Sequence, residues 1–210
     1  LKLGSVLGKA LTSFTYETLL KMCFLASFIV QFAMLSDDVA DCLVLYDTST
    51  LFLLFDTGIS GTCLFHNGKI LAGSKAVLTG KVTTKFEDIE AVILSHGHFD
   101  HCGGLMTFFK ETGKELPVYL HTDVFVQRRI EIRPGFTVDL PAMDETTIIK
   151  AGAKLYKNEG PATLASDLIL LSGKVERQTD FESGMAGTEA KMDGVWGPDP
   201  FTDDQGIALH

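Results

Sequence analysis

The stretch Ala91-Val-Ile-Leu-Ser-His-Gly-His-Phe-Asp-His-Cys-Gly-Gly104 decides the fold. Ala91–Leu94 is continuously apolar, too uniform for a half-exposed strand, and reads as a strand buried on both faces. Gly103–Thr112 reads as a helix that begins beside two glycines, and Pro117–His121 as the next strand. Strand, helix and strand within about thirty residues make a βαβ unit, so the two strands run parallel. Upstream, Cys42–Tyr46 and Leu51–Phe55 are apolar runs separated by Asp47-Thr-Ser-Thr50, which predicts an antiparallel hairpin over 42–55. The second run ends in Asp56-Thr57-Gly58, a strand leaving into a loop. Hairpin followed by βαβ points to a layered α/β domain.

The chemistry lies between the strand and the helix. His96, His98, Asp100 and His101 fall within six positions, and three of the six histidines of the chain are among them. Imidazole and carboxylate are donors that zinc, iron and manganese accept. On a loop leaving a strand, His96 and His98 turn to one side while Asp100 and His101 turn to the other. Each pair can then serve one ion, and two ions about 3.5–4 Å apart share a bridging hydroxide. Gly97 lets the backbone bend between the first two donors. The competing reading, a surface histidine cluster, fits poorly with a position directly after a buried strand.

His-x-His-x-Asp-His after a hydrophobic strand resembles the signature of the metallo-β-lactamase superfamily, and Phe55-Asp56-Thr57-Gly58 resembles its upstream strand-end motif. The resemblance implies an αββα sandwich with the metals at one edge of two sheets, here incomplete. It implies two zinc ions, with iron or manganese possible, held by His96, His98, Asp100 and His101. Asp100 is expected to be catalytic as well, and Asp56 to orient the ligand loop by hydrogen bonding. A narrower resemblance, to the branch of dihydropterin–ribofuranosylaminobenzene 5'-phosphate synthase-like proteins, rests on several further stretches. These are Leu54–Gly61, Val92–Leu105, Pro117–His121, Ser172–Arg177 with Phe181-Glu182, and Asp203-Asp204-Gln205. It implies a hydrolase or transferase acting on a phosphorylated small molecule. That branch carries a further ligand in a Gly-Cys-x-His-type segment and a last histidine, neither present in residues 1–210. The expectation is a C-terminally truncated chain with an incomplete metal site, weak metal binding and an exposed apolar patch. Residues 72–88 look like an insertion relative to the branch. Two other readings stand beside the hydrolytic one: a di-iron redox member, disfavoured by a histidine rather than glutamate at position 98, and a non-catalytic remnant.

The formal net charge of −9 argues against a nucleic-acid partner. Cys23, Cys42, Cys63 and Cys102 form no C-x-x-C pair and are expected to be mostly buried and reduced. Cys102 reads as packing rather than as a ligand. Residues 1–40 are set apart as an N-terminal apolar segment and 41–210 as the metallo-β-lactamase-like domain. Met22–Leu35 is too short an apolar run to span a bilayer comfortably. As a buried helix it belongs to a cytoplasmic protein. As a signal or anchor over residues 19–35 it makes the chain exported or membrane-associated. A third reading is non-native sequence. Residues 61–71 suggest a short helix. Thr146–Lys150 and Asp167–Ser172 read as strands, and 180–206 as a long loop holding Trp196 as a lid or an exposed aromatic. Two residues are candidate substrate contacts: His121, at the end of a strand parallel to Ala91–Leu94, and Arg177. Arg128, Arg129, Arg133, Lys150, Lys154 and Lys157 read as a solvated basic face with a possible phosphate contact.

Overall fold

The computed structural model describes residues 33–34, 43–46, 52–66, 86–179, 182 and 184–209, of which 33–34, 43–46, 52 and 209 by backbone alone. In chain order the strands are Ala33–Met34 (β1), Leu43–Tyr46 (β2), Phe52–Phe55 (β3), Ala91–Ile93 (β4), Leu116–His121 (β5), Arg128–Arg133 (β6) and Phe136–Asp139 (β7). Ala153–Asn158 (β8), Ala162–Leu164 (β9), Ile169–Leu171 (β10), Thr188–Met192 (β11), Val195–Pro198 (β12) and Ile207–Leu209 (β13) follow. β1 to β5 and β8 form one sheet in the order β1-β2-β3-β4-β5-β8. β13-β10-β9 and β12-β11-β6-β7 form two smaller ones. The expected hairpin is present, with Leu43 opposite Phe55 and Tyr46 opposite Phe52. Its turn, 47–50, lies outside the described residues. β4 pairs parallel with β3 and with β5, and β5 pairs parallel with β8.

Side-chain alternation on the central strands divides the interior in two. Leu54, Val92, Leu94, Leu116, Val118 and Leu120 point to one face, where they meet Leu64, Leu105, Phe108, Phe109 and Ile148 from the helices. Leu53, Ala91 and Ile93 point to the other, where they meet Ile169 and Leu171 of β10. A strand with apolar side chains on both faces is the physical meaning of the unbroken run Ala91–Leu94. Helices, six-stranded sheet and three-stranded sheet are three successive layers.

Several readings need correction. Thr146–Lys150 is no strand but part of the helix Glu145–Ala151. Its β-branched run misled, because caps outweigh a propensity difference of a few tenths of a kcal/mol per residue. The Asp144 carboxylate accepts from the Thr147 N–H at 2.8 Å, Gly152 closes the helix at φ 122°, and Ile148 alone is buried. Residues 180–206 are not one loop. β11 and β12 form a hairpin whose turn, Asp193-Gly194, has φ of 50° and 81°, the backbone that a two-residue turn requires. Trp196 stands on β12, half-buried beneath the Arg129 guanidinium at 4.3 Å. Arg128 does not join a solvated face; it is buried at the start of β6. Lys154 and Lys157 do form exposed ion pairs, with Glu115 and Glu145.

Ala33 and Met34, at the end of the expected apolar helix, pair with β2 as a strand. The rest of that segment, Cys23, Cys42, Phe181 and His210 lie outside the described residues. Among the described residues no helix is long and apolar enough to cross a membrane. Residues 61–66 are helical as expected, and Cys63 on that helix is exposed rather than buried. Replacing Asp144 by alanine removes the cap of Glu145–Ala151, and urea denaturation is expected to show a lowered midpoint. An unchanged midpoint would mean that the capping bond contributes nothing.

Candidate metal centre

The parallel register puts the ends of β3 and β4 side by side, so Asp56 and Ser95 meet. The Asp56 carboxylate accepts from the Ser95 N–H at 2.7 Å and from Ser95 Oγ at 2.6 Å. His101 Nδ1 lies 2.9 Å from the same carboxylate. Burial lifts the Asp56 carboxyl above its ordinary value, against the opposing pull of His101 and Ser95. Its φ of 58° is a left-handed backbone that a non-glycine residue rarely adopts. The backbone reinforces the joint through Thr57 N–H to His101 O at 2.7 Å.

This joint gathers three imidazoles. The His96 ring lies 4.0 Å from that of His101 and 4.9 Å from that of His98, centre to centre. Protonation follows from the partners. Ser95 Oγ has one proton, and Asp56 takes it. His96 Nδ1, 2.9 Å from Ser95 Oγ, is therefore the donor and its Nε2 keeps the lone pair. By the same reasoning His101 gives Nδ1–H to Asp56 and keeps its lone pair at Nε2, the tautomer that metal-binding histidines present. Burial, then the neighbouring His101, His98 and Arg128, lower the His96 pKa to about 2, so that ring is neutral at physiological pH. Asp100 Oδ2 lies 4.0 Å from His101 Nε2. His98 is buried, its Nδ1 has no hydrogen bond among the described residues, and its Nε2 meets the Asp199 carboxylate. Phe201 stacks on the His98 ring at 4.8 Å.

A second group of residues braces the loop from far along the chain. Buried Arg128 donates from Nε to Asp199 at 2.9 Å and from Nη2 to Asp203 at 2.6 Å. Asp203 in turn accepts from the Gly97 N–H at 2.7 Å, between the first two histidines. Asp199 Oδ2 lies 3.2 Å from His98 Nε2. Burial tends to raise the Asp199 pKa, but His98, the Phe201 N–H and Arg128 outweigh it and hold it at about 2. A Cβ on Gly97 would sit 2.0 Å from Val124 O, so no larger residue fits there without moving backbone. Gln205 closes the edge, donating from its backbone N–H to Ser95 O and from Nε2 to Leu94 O.

The other candidates are placed apart from the three rings. His121 is buried at the end of β5, and its Nδ1 accepts from the Asp123 N–H at 3.1 Å. Arg177 pairs with Asp204 at 2.7 Å and lies 5.6 Å from the Phe201 ring centre. Cys102 packs in the core, where burial and then the Asp56 charge push its thiol up to about 12. Among the described residues no three His, Cys, Asp or Glu side chains already hold the arrangement of a finished metal site. The donor chemistry nevertheless fits one: two imidazoles with lone pairs set by their partners and a third, His98, buried with Nδ1 unbonded among the described residues and Nε2 against the Asp199 carboxylate. Sequence reading missed Asp199 and Phe201 and took Arg128 for part of a basic face; only Asp203-Asp204-Gln205 carried a signal.

The family model of the metallo-beta-lactamase superfamily matches residues 84–188, half of the chain, and the chain belongs to that superfamily. A curated relative, the 7,8-dihydropterin-6-methyl-4-(beta-D-ribofuranosyl)-aminobenzene-5'-phosphate synthase of Methanocaldococcus jannaschii, is 37% identical over 73 residues. The match takes in 35% of this chain and 21% of that protein, so the chain spans about a fifth of the relative's length. Among solved structures, a metal-dependent hydrolase of the beta-lactamase superfamily aligns with TM-score 0.59 and 19% identity. That alignment covers 86% of this chain and 61% of that one. A subclass B3 metallo-beta-lactamase of Bradyrhizobium japonicum aligns with TM-score 0.45 and 18% identity, over 88% of this chain and 61% of that one.

Asn tolerates the left-handed backbone at position 56, so Asp56→Asn isolates the hydrogen bonds. Equilibrium unfolding is expected to show a loss of about 1.5–3 kcal/mol, the range for bonds to a charged acceptor. A loss under half of that would show that Asp56 does not hold the loop.

Proposed function

We propose that this chain carries the dinuclear, zinc-type centre of a cytoplasmic metal-dependent enzyme, a hydrolase or transferase acting on a phosphorylated small molecule. The observation that carries the reading is the gathering of three imidazoles, the His96 ring 4.0 Å from that of His101 and 4.9 Å from that of His98, in which buried His98 has no hydrogen bond at Nδ1 among the described residues. His96 and His98 would hold one ion, and Asp100 and His101 a second. Iron or manganese would accept the same donors. Bound zinc supplies an activated hydroxide near neutral pH and neutralises charge developing on the substrate.

The residues of the chain do the rest. Asp56 keeps the proton on His101 Nδ1 and so aims Nε2 outward. Phe201 covers His98 and limits water there. Asp100 is the catalytic carboxylate of the loop. Arg177, beside Phe201, offers its guanidinium to a phosphoryl group, with Asp204 holding it in place. His121 is a substrate contact at the same edge of the sheet. The M. jannaschii relative is named for a product bearing a 5'-phosphate, which supports a phosphorylated substrate.

Metal analysis of protein expressed with zinc, iron and manganese supplied in turn is expected to find zinc, and His98→Ala to lose more than about 90% of it, a tenfold effect or greater. Iron in redox-active form would favour the di-iron alternative, and no metal the non-catalytic one. For a phosphorylated substrate, Arg177→Ala is expected to raise KM about tenfold, near the 1.5–3 kcal/mol of a charged hydrogen bond, with kcat little changed. A fall in kcat at constant KM would place Arg177 elsewhere in the mechanism.

A further inference from the structure

Two polar atoms at the ends of neighbouring strands lack partners, and they are chemically opposite. The parallel register sets His121, the last residue of β5, beside Asn158, the last of β8. Continued two residues past the pair Ile93 and Tyr119, it also sets His121 beside Ser95, which holds the histidine loop. His121 is 4% exposed, and its Nδ1 accepts from the Asp123 N–H at 3.1 Å. A ring nitrogen that accepts carries no proton, so the uncharged ring has its proton at Nε2. That N–H has no acceptor among the described residues. Asn158 donates from Nδ2 to Gln205 Oε1 at 2.9 Å and to Gly160 O at 3.4 Å, which fixes which end of the amide is which. Its Oδ1 is buried without a hydrogen bond among the described residues. A donor without an acceptor thus stands beside an acceptor without a donor, and each is costly to enclose in that state.

We propose that His121 Nε2 and Asn158 Oδ1 are the two halves of a hydroxyl-binding subsite, in which one substrate hydroxyl accepts from the first and donates to the second. A hydroxyl satisfies both atoms because it has lone pairs and a proton. A phosphoryl or carboxylate oxygen has no proton for Asn158 Oδ1, and the Asp123 carboxylate, 4.0 Å from the His121 ring, opposes an anion there. The ring offers no lone pair to a metal, since one nitrogen accepts and the other is protonated. The inference rests on the phosphorylated-substrate reading above and adds the other end of the molecule. The phosphoryl group belongs to Arg177, and an uncharged, hydroxyl-bearing part reaches the ends of β5 and β8, the edge at which parallel sheets bind ligands.

Titration calorimetry with two probes tests this on the wild-type chain, His121→Asn and Arg177→Ala, with circular dichroism as the check on folding. The probes are inorganic phosphate and sorbitol 6-phosphate, a flexible polyol that presents hydroxyls at several distances from its phosphate. An asparagine side-chain oxygen accepts from the N–H two residues on, so His121→Asn keeps the bond to Asp123 and removes the Nε2 donor. It is expected to weaken sorbitol 6-phosphate about two- to tenfold, the worth of one uncharged hydrogen bond, and to leave inorganic phosphate unchanged. Arg177→Ala is expected to weaken both probes. Wild-type affinity of His121→Asn for the polyol phosphate would overturn the proposal, and so would an equal loss for the two probes, which would turn the ring toward the phosphoryl group. Nitrogen-15 histidine spectra test the tautomer without a ligand: a proton at His121 Nε2 is expected, unmoved by zinc, and a proton at Nδ1 or a zinc-induced shift would refute it. A wild-type chain that binds neither probe would sink the phosphorylated-substrate reading and the subsite with it. Binding of both probes that depends on Arg177 and ignores His121 would sink the subsite alone.

Discussion

Everything about the site hangs on the Asp56 carboxylate. It sits where two neighbouring parallel strands end, and it takes donors from Ser95, the second residue after β4, and from the last histidine of the loop. A loop six residues long with three imidazoles has many conformations, and ordering each backbone residue costs about 1–2 kcal/mol. Bonds to a buried carboxylate recover part of that cost, and they do so at both ends of the loop. The left-handed backbone of Asp56 is what turns its side chain from the strand direction toward Ser95. Strain of about 1–3 kcal/mol is tolerable there because the surrounding bonds over-determine the conformation.

The second constraint is electrostatic and comes from distant sequence. Asp199 and Asp203 lie 71 and 75 positions from Arg128, and Asp203 lies 106 positions from Gly97. The local segment 95–101 carries the imidazoles, whereas their orientation depends on residues at the far end of the chain. The helix layer and the three-stranded sheet pack on opposite faces of the large sheet. The site at its edge is consequently the place where segments from both sides can reach.

Legibility in the sequence followed the range of the interactions. The hairpin over β2 and β3 and the βαβ unit over β4 and β5 were readable because period and turn chemistry are local. The histidine loop was readable because its donors are close in sequence. The helix Glu145–Ala151 was misread through its Thr-Thr-Ile-Ile run, although Asp144 and Gly152 are ordinary cap residues. The β11–β12 hairpin was missed despite Asp193-Gly194, a strong turn signal, because the Gly- and Pro-rich surroundings suggested loop. Burial of Arg128 had no local sign at all. Its partners are known only once the chain has folded, and a stretch with Arg129 and Arg133 reads by default as a charged surface.

Parallel topology explains why these pieces converge. β3, β4, β5 and β8 point the same way, so their carboxyl ends share one edge of the sheet, the position at which open α/β sheets bind ligands. Asp56 follows β3, Ser95 to His101 follow β4, His121 ends β5, and Asn158 ends β8. Asn158 donates to Gln205, and Gln205 donates to Leu94 O, so the segment containing Asp199, Asp203 and Asp204 is laid along that same edge. With antiparallel strands these residues would alternate between two edges about 15–20 Å apart, the length of a five- or six-residue strand. No loop of this length would bridge that gap. The direction of four strands thus brings histidines and carboxylates together before any side chain finds its partner.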